Sequence, residues 1–316
     1  METTWEYDAP DGVYKNHAMS GKLLEVAALQ MRMVPFTTKE KDFGKRKGKS
    51  LTLYHYKPLT IPTTAQLDER TRIPIDKMVM DGRIITVSEW GRGVEVTNLN
   101  QQLAKWDPVE RAQKLLVSQM KECMDNAAAA GFKGFKIKFI PTSLTGGTWD
   151  TDGTPSTTAL ENLTVAHLEV IRDYMANDLH VPFYDGNSYT GMLTTRALRG
   201  IKNDRRFEHW SQYLRKGDVI YNSEVGQVEQ IRCVEINQEG ALSNSKASGV
   251  LGEGVVFGDE AVSRVEAEYP HLRYDPNYQG DFGRRKAAAW YGIVAFATTW
   301  DSANDREAKG VHITSQ

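Results

Sequence analysis

The chain has 316 residues, 40% of them hydrophobic, enough for one large core or two smaller ones. Lys and Arg number 39 against 41 Asp and Glu, a net charge of −2. That balance offers no strong field to hold a polyanion, which argues against a dedicated DNA-binding role, and it leaves little self-repulsion when copies crowd together. Only two cysteines occur, Cys123 in a helical pattern and Cys233 in a strand-like one. They read as buried free thiols and suit a cytosolic compartment.

The opening "METTWEYDAPDGVY" is acidic and polar, so it is no signal peptide. Residues 1–17 show no periodicity and read as an arm. Leu23, Leu24, Ala27, Ala28 and Met31 then recur at helical spacing, which predicts a short amphipathic helix over 18–34, stopped by Pro35. "GKRKGKS" (44–50) ends like a phosphate-binding loop, but the required first glycine falls at Phe43, and a helix should follow. Instead "LTLYHY" (51–56) reads as a strand, so Gly48 belongs to a basic turn leading into it.

Residues 57–82 hold Pro58, Pro62 and Pro74 and show no core pattern. So long a structureless stretch is unusual inside a compact domain. It is either disordered or an extension that finds its partners outside the subunit. "RIITVSEWGRGVEVT" (83–97) reads as a returning strand bent at Gly91 and Gly93, giving an extended hairpin-like loop. Asp107 as N-cap, Pro108 at the first helical position and Glu110 at the third predict a capped helix. Val109, Ala112, Leu116, Met120, Cys123 and Ala127 share one of its faces, and Gly131 is the expected C′ residue.

A strand is predicted over 132–140, a loop over 141–158, and helices over 163–177 and 194–215. Strands follow at 188–193, 227–236 and 254–258, a short helix at 259–267, and a strand-like tail. The apolar run 287–300 is a buried element, since 14 residues cannot span a bilayer. Helices and strands mix without regular βαβ alternation, so the fold class is α+β.

Motifs for chemistry are weak. Asp150, Asp152, Thr154, Ser156, Thr158 and Glu161 occupy the ligand positions of a calcium loop, but Pro155 stands where its turn needs glycine. The seven histidines form no short-range ligand pair, and there is no Gly-x-Ser-x-Gly elbow. No catalytic, cofactor-binding or metal residue and no cofactor is therefore expected.

One ordered set of features remains: "GKSLTLYHYKPL" (48–59), "EWGRGVEVTNL" (89–99), the helix 108–130, "GQVEQIRCVEI" (226–236) and "KAAAWYG" (286–292), with the stretch from Thr194 to Val225 in its place. In order and spacing this set resembles the major capsid proteins of tailed double-stranded DNA phages, the Hong Kong 97-type fold, and most nearly the subfamily typified by coliphage N-four. The resemblance implies an N-terminal arm (1–50) and an E-loop with supporting strands (51–97). It further implies a peripheral P domain (98–150 and 281–316) built on the spine helix, and an axial A domain (151–280).

The function so implied is a non-enzymatic subunit that self-assembles into an icosahedral head, in the virion and, during assembly, in the host cytoplasm. Its partners would be copies of itself in hexamers and pentamers, a separate scaffolding protein, a portal, and double-stranded DNA packaged without sequence-specific binding. A decoration protein is an optional further partner, and no membrane is involved. A shell of the encapsulin type and a soluble enzyme without a recognisable motif are the rival readings. Asp68, Glu69, Arg70, Arg72 and Lys77 on the E-loop are the candidate intersubunit contacts. The two ends, 1–17 and 310–316, are expected to be pinned by other elements or by neighbouring subunits.

Overall fold

The apolar segments sort onto two sheets with the long helix between them. The computed structural model describes residues 31–70, 72–104, 108–207, 224–237, 240–243, 252–275, 284–300 and 307–316. Strands β1 (Thr38–Lys39), β2 (Ser50–Tyr56), β3 (Met80–Thr86) and β4 (Ser88–Thr97) come first, then helices α1 (Asn98–Leu103) and α2 (Pro108–Lys133). A hairpin of β5 (Lys138–Pro141) and β6 (Gly147–Asp150) follows, then α3 (Val165–Asp173), β7 (Tyr189–Thr194) and α4 (Leu198–Lys202). The last strands are β8 (Glu224–Val228), β9 (Ile231–Ile236), β10 (Gly252–Phe257), β11 (Val262–Asp275), β12 (Arg285–Thr298) and β13 (Gly310–Ser315).

Among the described residues, a seven-stranded mixed sheet runs β6-β5-β13-β10-β7-β9-β8 and a four-stranded sheet runs β1-β11-β12-β4. Among the described residues, strands β2 and β3 pair only with each other. Alternation divides the seven-stranded sheet between two cores. Val311, Ile313, Leu193 and Val256 pack with Leu168 and Ile171 of α3 and Leu198 and Ile201 of α4. Val255, Phe257, Met192 and Val234 face the other way, against Leu116, Ala128 and Phe132 of α2. That second core also takes in Trp290, Val294 and Val262 of the four-stranded sheet, so α2 joins the two sheets. Strands β7, β10 and β13 are buried at every residue because both faces are covered. The expected pinning of 310–316 holds within the subunit, since β13 lies between β5 and β10.

Asp125 of α2 ties down the chain entering the fold. Its Oδ1 accepts the backbone N–H groups of Arg32, Met33 and Val34 at 3.0, 2.7 and 3.3 Å. Burial pushes this carboxyl upward, and those three N–H groups act in the opposite direction.

Several expectations change. Residues 1–30 and Asp107 lie outside the described residues, and Val34–Phe36 is a single 3-10 turn with Pro35 inside it. Pro108 does open α2, and Glu110, in its first turn, pairs with Lys114. The helix does not stop at Gly131 but runs to Lys133. Gly131 serves packing instead: a Cβ there would stand 3.3 Å from Val262 and 3.4 Å from Phe296. The longer helix delays the next strand to Lys138. Gly91 and Gly93 make no break, because β4 pairs with β12 through both without a register shift. A Cβ at Gly91 would lie 2.9 Å from the Trp290 carbonyl oxygen, so close strand approach explains the glycine.

The loop expected at 141–158 contains β6, and the strand expected at 227–236 is a hairpin, β8–β9. Its turn residues Glu229 and Gln230 have φ of 46° and 63°, the primed geometry that glycine or asparagine usually signals. The helix expected at 259–267 is the start of β11, where the long pairing with β12 overrides a local pattern. Of the helix expected at 194–215, residues 194 and 198–202 are the end of β7 and α4, and 208–215 lie outside the described residues.

Candidate functional site

The hairpin β2–β3 is built to reach outward from a fixed neck. Its seven paired positions run from Ser50↔Thr86 to Tyr56↔Met80, and Lys57 N–H adds a bond to the Val79 carbonyl at 2.9 Å. Gly48, at φ +93°, makes the turn that enters it. Phe43, the residue that breaks the phosphate-loop spacing, is buried under the hairpin with Ile85, Val87 and Val265. Leu51 and Leu53 pack on the same cluster, so one end of the hairpin sits on the four-stranded sheet.

Polar contacts fix the other end of the paired region. His55 Nε2 lies 2.6 Å from Oε1 of Glu307, a carboxylate that is itself buried, and the His55 ring lies 3.8 Å from that of Trp300. Lys57 Nζ stands 4.0 Å from the same Glu307 oxygen and 3.6 Å from Oδ2 of Asp81. The Gly82 N–H, then the charges of Lys57 and His55, hold the Asp81 carboxyl below the usual carboxylate range. These groups line a cleft of about 590 Å³ together with Arg83 and Lys136. Its two acids, Asp81 and Glu307, are both engaged by His55 and Lys57, an arrangement that holds a strand in place.

Beyond the neck, every described residue from Pro58 to Val79 is exposed. Leu59, Ile61, Leu67, Ile73, Ile75 and Met78 all face solvent, Ile75 at 79% exposure. Tyr54, Tyr56, Met80 and Ile84 extend the apolar surface along the paired strands. Exposed apolar patches of this kind mark contact surfaces. The candidate contacts Asp68, Glu69, Arg70, Arg72 and Lys77 are all exposed on this reach. The sequence reading chose the charges and missed the apolar side chains between them. The signal was present: Ile73 and Ile75 flank Pro74 in a stretch with no helical or strand period.

Elsewhere the chemistry-bearing residues serve structure. Asp150 and Asp152 accept the backbone N–H groups of Ser156 and Thr154, each at 2.8 Å. His167 caps α3 through Thr164 N–H at 3.0 Å, and its Nε2 lies 2.8 Å from the Ser143 carbonyl oxygen. Both cysteines are free, Cys233 buried and Cys123 half-buried. Among the described residues, no group of three His, Cys, Asp or Glu side chains could hold a metal ion, and no helix is long and apolar enough to cross a membrane.

Comparison with solved structures gives the architecture its place. The capsid asymmetric unit of cyanophage Pam1 matches 98% of this chain and 98% of its own, at a TM-score of 0.70 and 14% identity. The capsid of Ralstonia phage GP4 matches 100% of this chain and 98% of its own, at 0.67 and 13%. The acidic stable capsid of Helicobacter pylori bacteriophage KHP30 matches 97% of each chain, at 0.68 and 11%. The chain has the Hong Kong 97-type phage capsid fold. No protein-family model matches the sequence, and no curated protein does. The long helix α2 and the outreaching hairpin β2–β3 lie where the sequence resemblance expected a long helix and an extended loop with its supporting strands; the seven-stranded sheet was not anticipated.

Proposed function

We propose that this chain is a major capsid subunit that self-assembles into the icosahedral head of a tailed phage and encloses double-stranded DNA. The observation that carries the reading is the exposed reach from Pro58 to Val79. Its proline spacing keeps it from folding back into a ladder, and its isoleucines, leucines and methionine have no cover within the described subunit. Each such side chain, once covered by a neighbour, contributes about 1.5–3 kcal/mol, so a handful per subunit drives association. The capsid structures with this fold support the reading, and so does the near-neutral net charge of −2, which lets copies crowd.

In this proposal β2–β3 with its reach is the E-loop, α2 is the P-domain spine helix, and the residues before β2 are the arm. The P domain is 98–150 with 281–316 and the A domain 151–280, with β5, β6 and β13 pairing into the same sheet as the strands of 189–257. The nearest subfamily is the coliphage N-four-like one. The partners are copies of the chain in hexamers and pentamers, a separate scaffolding protein, a portal, the packaged DNA and a decoration protein where one is used. The sites are the virion and, during assembly, the host cytoplasm.

Electron microscopy of the protein, purified from cells making it with its neighbouring phage products, tests this. Closed icosahedral particles containing DNA are expected. Particles filled with protein cargo would point to an encapsulin-type compartment, and dispersed small species alone would contradict the shell.

A further inference from the structure

Where α2 meets the seven-stranded sheet, four ionisable side chains from four elements come together, three of them buried and the fourth, Lys133, half-exposed at the rim. Lys133 closes α2, Lys138 lies on β5, Glu253 on β10 and His312 on β13. Strand register sets them on one face: His312 stands opposite Lys138 on one side and Val255 on the other, and Glu253 lies two residues along from Val255. Lys138 Nζ donates to the Lys133 carbonyl at 2.7 Å, a cation on the C-terminal end of a helix. Lys133 Nζ donates to Glu253 Oε2 at 2.9 Å and to the Ala241 carbonyl at 3.0 Å. The Ser243 N–H donates to the same Glu253 oxygen at 2.7 Å.

His312 is the exception in this network. It is 1% exposed, and neither ring nitrogen has a hydrogen-bond partner. Glu253 Oε1 stands 3.7 Å from its Nε2, beyond hydrogen-bond reach. Burial, then the charges of Lys138 and Lys133, hold the imidazole well below its ordinary value of 6.5. Burial first, then Lys133, pushes Lys138 down to about 8, so it is still charged at neutral pH. The cluster at neutral pH is therefore two cations, one carboxylate and a neutral ring.

We propose that this junction is an acid-sensitive joint: protonating His312 adds a third cation beside Lys133 and Lys138, opposed only by Glu253, and loosens the end of α2 from the sheet. Well above pH 6.5 the imidazole is neutral in the folded and unfolded chains alike, and the junction is fully stable. As pH falls below that value the unfolded or opened form takes up the proton first, so stability is lost until the buried ring is protonated too. The joint matters for any rearrangement of the fold, because α2 links both sheets.

Hydrogen exchange read by mass spectrometry tests it on the whole chain, free or assembled. After correction for intrinsic exchange, opening of the segment 128–140 is expected to rise between about pH 7.5 and about pH 5. Below pH 6.5 the rise is about tenfold for each pH unit, until the folded ring is itself protonated. His312→Gln keeps a polar side chain without a proton to gain, so it is expected to flatten that rise. An equal rise in His312→Gln overturns the proposal. So does slower exchange in acid in the unaltered chain, which would mean that a His312–Glu253 ion pair forms. Should the variant fail to fold, deuterium uptake at imidazole C2 in the unaltered chain still decides. His312 is expected to titrate well below the ordinary imidazole value of 6.5, and a midpoint at that value overturns the proposal.

Discussion

The hairpin reach and strand β13 are both rich in β-branched residues, yet they meet opposite fates. From Gly310 to Ser315 every residue is buried between β5 and β10, with α3 on one face and α2 on the other. From Pro58 to Val79 every described residue is exposed, isoleucines included. The difference lies in the backbone. Strand β13 donates and accepts on both edges, whereas Pro58, Pro62 and Pro74 interrupt any ladder the reach would form. A hydrophobic pattern therefore does not say where burial happens. In β13 it happens within the chain; on the reach it does not happen among the described residues, and the proposed function leaves it for a second copy.

The sharpest way to break that contrast is one kind of substitution made in both places. Ile313→Ala opens a cavity in a filled core and is expected to lower subunit stability by about 2–5 kcal/mol in a urea melt. Ile75→Ala is expected to stay within about 0.5 kcal/mol. Equal losses would mean that the reach is buried in the subunit after all.

A non-strand segment can also be fixed from within, and Asp125 tests that. Asp125→Ala strips one acceptor from three backbone N–H groups and is expected to lower stability by about 3 kcal/mol, whereas Asp125→Asn keeps an acceptor oxygen and loses about 1 kcal/mol. Matching midpoints for the two variants would show that the carboxylate does not hold the chain at Arg32–Val34. Smaller again, Asp107→Ala removes the N-cap expected from the sequence and should lower stability by about 1 kcal/mol; a neutral melt would displace the helix start.

What was legible in the sequence follows the same division. The α2 start was readable because Pro108 and Glu110 act locally, and the hairpin because prolines and a missing period are local too. The end of α2 was misread because Gly131 answers to Val262 and Phe296, far along the chain. Strand β11 was misread as helix for the same reason, since its pairing partner lies on β12. The site was half legible. Charge in "LDERTRIP" drew notice, while exposure of Ile73 and Ile75 is a property of the folded chain.

The smallest expected effect on the fold is electrostatic. Arg70→Glu with Arg72→Glu changes only exposed residues and should leave circular dichroism and the melt unchanged. An exposed ion pair contributes about 0–1 kcal/mol, but a shell repeats it in each subunit, so assembly is expected to fail at low salt and recover partly at high salt. Normal particles from this variant at low salt would remove the charged residues from the contact and leave the apolar ones.

Sedimentation of the intact chain beside Ile73→Asp with Ile75→Asp tests the central claim most directly. The intact chain is expected in capsomer-sized or larger particles, and the variant as a folded subunit with an unchanged melt. An intact chain that stays monomeric under assembly conditions, or a variant that assembles as well as the intact chain, would contradict the claim that the reach is covered by a second copy.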